Sequence, residues 1–284
     1  MKKIGLVAKL INPEVVKFCA EVTGWLNARG VEVYGDGEIS KRVSAVKKVS
    51  REEMPDAVEA VLVLGGDGTM LYAARLVGGR KIPILGINMG GLGFLTAATA
   101  TDAYACLEKA LKGKCEIEER MMLSVGIMRG GKRIADYRVL NDAVIRGTIA
   151  RLLKLDVRID EEYVTTYRAD GLIVATPTGS TGYSLSAFGP ILYPTIHSII
   201  IVPICPFNLT NRPVVIPDRM TVAVELGSEH LETVLTLDGQ VDMPLKAGDV
   251  IEARRAEENV YLIRGNGKSY FDVMRERLMW EPRR

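Results

Sequence analysis

Over residues 1–115, apolar runs alternate with segments whose apolar residues recur at helical spacing. Ile4–Ala8 is a continuous apolar run, as in a strand covered on both faces. Asn12-Pro13 reads as an N-cap and first helical residue, Val15, Phe18, Val22, Trp25 and Leu26 follow one helical face, and Gly30 fits the C-cap. Residues 31–34, 58–64 and 82–87 read as further strands, and residues 70–77 and 101–111 as helices. Residues 35–55 are polar, with Lys41, Arg42, Lys47, Lys48 and Arg51, and read either as a solvated connection or as an electrostatic contribution to nucleotide binding. Strands alternating with helices predict a parallel sheet with right-handed crossovers.

Near residue 115 the period changes. Leu123, Val125 and Ile127 alternate with other residues, Arg129-Gly130-Gly131-Lys132 makes a turn, and a second strand runs toward Ile145. Leu153, Leu155, Val157 and Ile159 alternate cleanly, as do Val222, Val224 and Leu226. Residues 199–204, 234–237, 250–253 and 260–263 also read as strands, and a short helix is expected around 273–280. The expected fold class is therefore an α/β domain with a parallel sheet over 1–115, a β-rich domain over 116–265, and a tail, 266–284, packing back on the first domain.

Composition narrows the partners. The 284 residues carry 37 basic and 35 acidic side chains, a formal charge of +2, so no global field points to nucleic acid or a membrane surface, and an anionic ligand needs a local site. No apolar stretch of about 20 residues is present to span a bilayer, and Lys9 interrupts the only opening that resembles a signal peptide. Cys19, Cys106, Cys115 and Cys205 are scattered without a CxxC pair, which fits a reduced, cytoplasmic protein and offers no metal-site spacing. His197 and His230 have no neighbouring nucleophile pattern and read as structural or surface residues.

Three stretches can carry chemistry. Gly65-Gly66-Asp67-Gly68-Thr69 ends a strand and opens a helix, where open α/β sheets bind ligands. It satisfies neither the dinucleotide fingerprint nor the P-loop. The helix dipole favours an ionised carboxylate at Asp67, which can accept a substrate proton, hold Mg²⁺ beside a phosphate, or simply cap the helix. A second glycine cluster, residues 86–96, follows the next strand and suggests a shared cleft. Residues 168–186 deliver a loop crowded with hydroxyls and glycines, suited to ribose, base or phosphate, or forming an ST-rich turn capped by Ser180 or Thr181. Asn141-Asp142 is a polar pair in an apolar strand, either a surface edge or a site, and Leu237-Asp238-Gly239-Gln240 looks like a hairpin turn.

The ordered set GGDGT, NMGGLGF, LNDAVI, DGLIVATPTGSTGYSLSAFGPIL and LDGQ closely resembles the NAD kinases, with Glu119-Arg120-Met121-Met122-Leu123 at the domain junction. The resemblance implies a two-domain fold and transfer of the terminal phosphate of ATP, another NTP or polyphosphate, with Mg²⁺, to the 2′-hydroxyl of the adenosine ribose of NAD. It implies that Asp67 accepts the proton, with Gly68 beside the ligand. NAD contacts then carry over to Asp67, Gly68, Phe94, Asn141, Asp142, Arg151, Arg168, Asp170, Thr181, Gly182, Tyr183, Ser184, Leu185, Ser186 and Gln240. No protein side chain is assigned to metal, Mg²⁺ being carried by the nucleotide. The resemblance also implies a homodimer or homotetramer, with NAD bound across a subunit interface.

Two departures stand out. The histidine that many members carry before Leu-x-x-Arg-Pro is absent from Pro206-Phe207-Asn208-Leu209-Thr210-Asn211-Arg212-Pro213, and Leu95 follows Phe94 where some members have a second aromatic. GGDGT is shared with lipid kinases of the diacylglycerol and sphingosine type, so a lipid kinase and a non-catalytic dinucleotide-binding module are the alternatives.

Overall fold

The computed structural model describes residues 1–10, 12–91, 93–149, 151–227, 232–265 and 269–280. The chain forms two compact units, Met1–Glu119 with Val260–Arg284, and Arg120–Asn259. No described helix is long and apolar enough to cross a membrane.

In the first unit, strands β1 (Lys3–Ala8), β2 (Glu32–Gly35), β3 (Lys47–Lys48), β4 (Ala60–Leu64), β5 (Pro83–Asn88) and β6 (Ala98–Thr99) alternate with helices α1 (Pro13–Asn27), α2 (Gly37–Arg42), α3 (Met54–Ala57), α4 (Asp67–Val77) and α5 (Ala103–Leu111). The strand order is β3-β2-β1-β4-β5, every pair parallel, with β6 beside β5. All five residues of β4 are buried, which is why it reads as an unbroken apolar run. α1 starts as its sequence predicts, the Asn12 side chain accepting the Val15 N–H at 2.9 Å.

Residues 35–55 are not a plain solvated connection. Asp36 caps α2, accepting the Glu38 and Ile39 N–H groups at 3.0 Å, and Ile39, Val43 and Val46 reach the core. Two of the cations are engaged in pairs, Arg51 with Asp36 at 2.8 Å and Lys47 with Glu32 at 2.5 Å. The polar residues hid three buried anchors because α2 has only six residues, too few to display a helical period.

The second unit is built on β7 (Ile117–Arg129), β8 (Lys132–Val139), β9 (Asp142–Gly147), β10 (Leu153–Ile159), β11 (Glu162–Ala169), β12 (Gly171–Ala175), a short helix α6 (Tyr183–Ser186), β13 (Ser198–Ile204), β14 (Val214–Pro217), β15 (Val222–Leu226), β16 (Thr233–Leu237), β17 (Val241–Leu245) and β18 (Val250–Ile263). The unit boundaries fall inside β7 and β18. One antiparallel sheet runs β14-β13-β12-β9-β16-β17. A second contains β11-β10-β15-β18, with β7 pairing β18 and β8. Val125, Leu155 and Val224 of one sheet and Ile145, Leu172, Ile201 and Leu235 of the other share one core.

Two strand expectations change. Residues 250–253 and 260–263 belong to one strand, because the polar stretch between them stays in the sheet: Glu252 and Glu258 pair with Arg133 and Arg138 at 2.6 and 3.1 Å. The single strand expected from Lys132 to Ile145 breaks at Leu140-Asn141, where the backbone turns its N–H groups to another partner. After β18, Ser269 and Asp272 form a capping box that opens α7 (Tyr270–Arg277), three residues earlier than the apolar spacing suggested.

Candidate active site

In the first unit the two glycine motifs sit at neighbouring strand ends. β4 and β5 are in register as Leu64↔Ile87, so the loops that follow them leave the same edge of the parallel sheet, the edge where such sheets bind ligands. α4 begins at Asp67, with Gly66 as N-cap, rather than at Met70. Asp67 does not cap its own helix. Its Oδ2 accepts the Phe94 N–H and its Oδ1 the Leu95 N–H, each at 3.0 Å. The carboxylate therefore fastens the second glycine loop to the first. Gly93 makes this possible, since a Cβ there would collide with the Asp67 carboxylate. The Gly93 N–H is taken by Thr96 Oγ1 at 2.9 Å, and Asn88 Oδ1 closes a turn on the Gly90 N–H at 2.9 Å. Asp67 is half-buried, and the next residue, Gly68, is exposed.

Phe94 does find a second aromatic. Tyr270 of α7 lies 6.3 Å away between ring centroids, while Leu95 turns into the core at 7% exposure. The aromatic partner that Leu95 does not supply comes from a remote helix of the same unit.

In the second unit the polar centre is the interruption between β8 and β9, at Leu140-Asn141. Asp238, buried in the β16–β17 turn, accepts the N–H groups of Leu140 at 2.9 Å, Asn141 at 2.7 Å and Asp142 at 3.2 Å. The turn has positive φ at both Asp238 (50°) and Gly239 (63°), the geometry of the expected hairpin. That reading of LDGQ was right about the backbone and missed the carboxylate, for which an Asp-Gly step carries no separate signal. Asn141, Asp142, Val144, Arg146, Tyr183, Thr236, Asp238 and Gly239 line a cavity of about 220 Å³. Asn141 Oδ1 is buried without a hydrogen-bond partner, and burial, joined by the charge of Asp238, pushes the Asp142 carboxyl up to about 7.

The hydroxyls of the 176–186 loop work mostly within the protein. Thr176 Oγ1 donates to the Leu140 carbonyl at 2.6 Å and accepts the Gly179 N–H at 3.1 Å. Ser180 Oγ donates to the Pro177 carbonyl at 2.6 Å and accepts the Leu192 N–H at 3.1 Å, while Thr178 meets the buried Arg120 at 3.4 Å. Neither Ser180 nor Thr181 caps a helix: α6 has Gly182 as N-cap, with no side-chain cap bond. The loop is thus locked to the strand end that carries Asn141 and Asp142, and a Cβ at Gly179 would strike the Asn141 carbonyl. Ser184 is fully buried against Gly189 and does not line the cavity. Gly182 keeps the polar pair clear, since a Cβ there would stand 3.2 Å from Asn141 Nδ2 and 3.7 Å from Asp142 Oδ2.

The remaining expected contacts lie elsewhere. Asp142 faces Ala175 at one end of β12, whereas Arg168 and Asp170 precede Gly171 at the other, about 13 Å away at 3.3 Å per residue. Arg168 stacks on Phe207 at 5.3 Å, and Arg151 follows β9 on an exposed turn. Thr181 and Leu185 are half-buried, and Ser186 and Gln240 are exposed. Exposed His197 meets Asp218 at 3.1 Å, consistent with a surface role, and His230 lies outside the described residues.

Family models described as the ATP-NAD kinase N-terminal domain and the ATP-NAD kinase C-terminal domain match residues 4–115 and 140–265. The chain belongs to the NAD kinase family. The NAD kinases of Geotalea daltonii and Geobacter sulfurreducens are 47% and 45% identical to it over 284 residues, covering all of each chain. Yeast NADH kinase complexed with NADH has the same fold, with a TM-score of 0.89 at 24% identity over 97% of this chain and 86% of that one. An NAD kinase from Archaeoglobus fulgidus in complex with ATP gives 0.76 at 26% identity over 93% and 94%. Family matches in both halves of the chain set the lipid-kinase alternative aside.

Proposed function

We propose that the protein transfers the terminal phosphoryl group of ATP to the 2′-hydroxyl of the adenosine ribose of NAD, giving NADP, with polyphosphate or another NTP as further candidate donors. The observation that carries this reading is the Asp67 carboxylate, held by two backbone N–H groups at the start of α4, where the next residue, Gly68, is exposed. Phosphoryl transfer asks mainly for positioning and charge stabilisation. As the ribose oxygen forms its bond to the terminal phosphorus, the bond to the leaving diphosphate breaks and Asp67 accepts the hydroxyl proton. The N-terminus of α4 offers its dipole to the donor's phosphates.

NAD is the proposed ligand of Asn141, Asp142 and Tyr183, with Phe94, Thr181, Gly182, Leu185, Ser186, Arg151, Arg168, Asp170 and Gln240 as further candidate contacts. Ser184 is proposed to support the loop from within. Magnesium is written as part of the donor. The donor's phosphates would supply its ligands. A homodimer or homotetramer is proposed on the strength of Phe188 and Leu209, 93% and 89% exposed on the second unit, and light scattering tests it. A cytoplasmic setting is proposed from the four free cysteines.

The deciding experiment incubates the protein with NAD, magnesium and ATP and detects NADP with an NADP-specific dehydrogenase. NADP is expected. No product with ATP, other nucleoside triphosphates or polyphosphate refutes the reading.

A further inference from the structure

The turn that holds Asn141 and Asp142 in place is also an electrostatic device. Three N–H groups converge on the two oxygens of Asp238, at 2.7 to 3.2 Å. A carboxylate accepts such bonds, whereas a proton on it would compete for the same lone pairs. Asp142 lines the same cavity, 5% exposed beside an Asp238 that is 7% exposed. Its own carboxyl receives no hydrogen bond from the described residues. The other titratable groups around it are few. Arg146 of β9 is taken up by Thr236 at 3.3 Å and Asp242 at 3.9 Å, Tyr183 comes from α6, and Arg120 donates to Thr178 of the adjoining loop. The facing residue on β12 is Ala175. Two like charges so placed do not ionise together readily.

We infer that Asp142 and Asp238 form a couple that holds one proton in the binding-competent state, with Asp238 the charged, positioning member and Asp142 presenting an O–H to an acceptor atom of the adenosine ribose. This rests on NAD being the ligand of that cavity. The cavity then presents the Asp142 O–H and the Asn141 side-chain amide to the ligand. A ribose diol, each of whose hydroxyls both donates and accepts, matches that set. Burial and the Asp238 charge, which raise the Asp142 carboxyl, agree with the proton residing there.

The test measures KM for NAD at saturating MgATP from about pH 6 to about pH 8.5, around the midpoint of about 7. With the wild type, KM should rise about tenfold across this range, the loss of one good hydrogen bond. Asp142→Asn, neutral at every pH, should bring the ratio between the two ends to about one. Asp238→Asn should move the inflection to lower pH, which a merely structural role would not do. Infrared difference spectra of the ligand-free protein provide a readout independent of turnover: a protonated-carboxyl band present at the acid end, lost at the alkaline end and missing from Asp142→Asn. A flat wild-type profile with NADP formed throughout overturns the couple and leaves the kinase reading intact. NADP absent at every pH refutes the kinase reading instead, and the infrared band still decides the couple.

Discussion

Replacing Asp142 by Asn should stabilise the ligand-free protein, and by an amount that depends on pH. The carboxyl is raised from its ordinary 3.8 to about 7 by burial and by Asp238. Between those values the folded state binds more protons than the unfolded one, so stability falls as pH rises and the loss is complete above about 7. At about 1.4 kcal/mol per pH unit, the accumulated loss is about 1.6 kcal/mol by pH 5 and about 4 kcal/mol at pH 8. Asn has nearly the same shape, carries no charge, and can offer its amide N–H to Asp238. Titrating groups that do not interact with Asp142 are common to both proteins and cancel in the comparison. The advantage of Asp142→Asn over wild type should therefore grow by about 2.5 kcal/mol between pH 5 and pH 8, or about 5–10 °C in Tm for a unit of this size. Urea unfolding of both proteins at the two pH values measures it. An advantage that stays constant with pH, or shrinks as pH rises, refutes the account of Asp142 as a carboxyl held against its neighbour.

Three further outcomes follow from named contacts. Asp67→Asn should lower kcat by about 10²-fold or more, and because its amide presents N–H to one of the two loop N–H groups, hydrogen exchange at Phe94 and Leu95 should quicken too; wild-type turnover would reject the role of base, and unchanged exchange would reject the tether. Gly93→Ala should reproduce the loop defect with Asp67 intact, since its Cβ meets the carboxylate, so a variant with normal exchange at Leu95 and normal turnover argues against a close approach there. Asp249→Ala should cost about 2–3 kcal/mol, because it removes two 2.7 Å bonds to Arg129 and the acceptor of the Lys246 N–H. Burial works against the ionised Asp249 but these partners outweigh it and lower its pKa, so the stability it contributes is present above about pH 4 and is lost in acid as the folded carboxyl protonates; wild type and variant should converge in denaturant unfolding as pH falls, and parallel curves would contradict it.

How far the chain could be read in advance depended on whether a residue's role was local. β1, β4 and β5 announce themselves because a strand covered on both faces has nothing but apolar positions to offer, and α1 because Asn12-Pro13 marks its start. GGDGT and the 170–186 loop were legible as glycine and hydroxyl clusters, and their order along the chain pointed to the family. Illegible were the partners across long sequence separations. Asp67 looked like either a cap or a base, yet its structural duty is to hold residues 27 and 28 positions away. The loop hydroxyls looked like either ligand donors or an ST-rich turn capping a helix, yet Thr176 and Ser180 close the loop on itself and on Leu140 without capping one. Asp238 looked like half of a hairpin turn, and it is, but the turn also carries a buried charge to three N–H groups 96 to 98 residues earlier. In each case the backbone conformation could be inferred from neighbours, while the side chain's partner is fixed by strand register, which pairs β9 with β16 and sets residue 238 against residue 142. The same register that completes β9 at its open end brings two carboxyls into one cavity, so the fold's own hydrogen-bond accounting creates the titrating group on which the NAD site is inferred to depend.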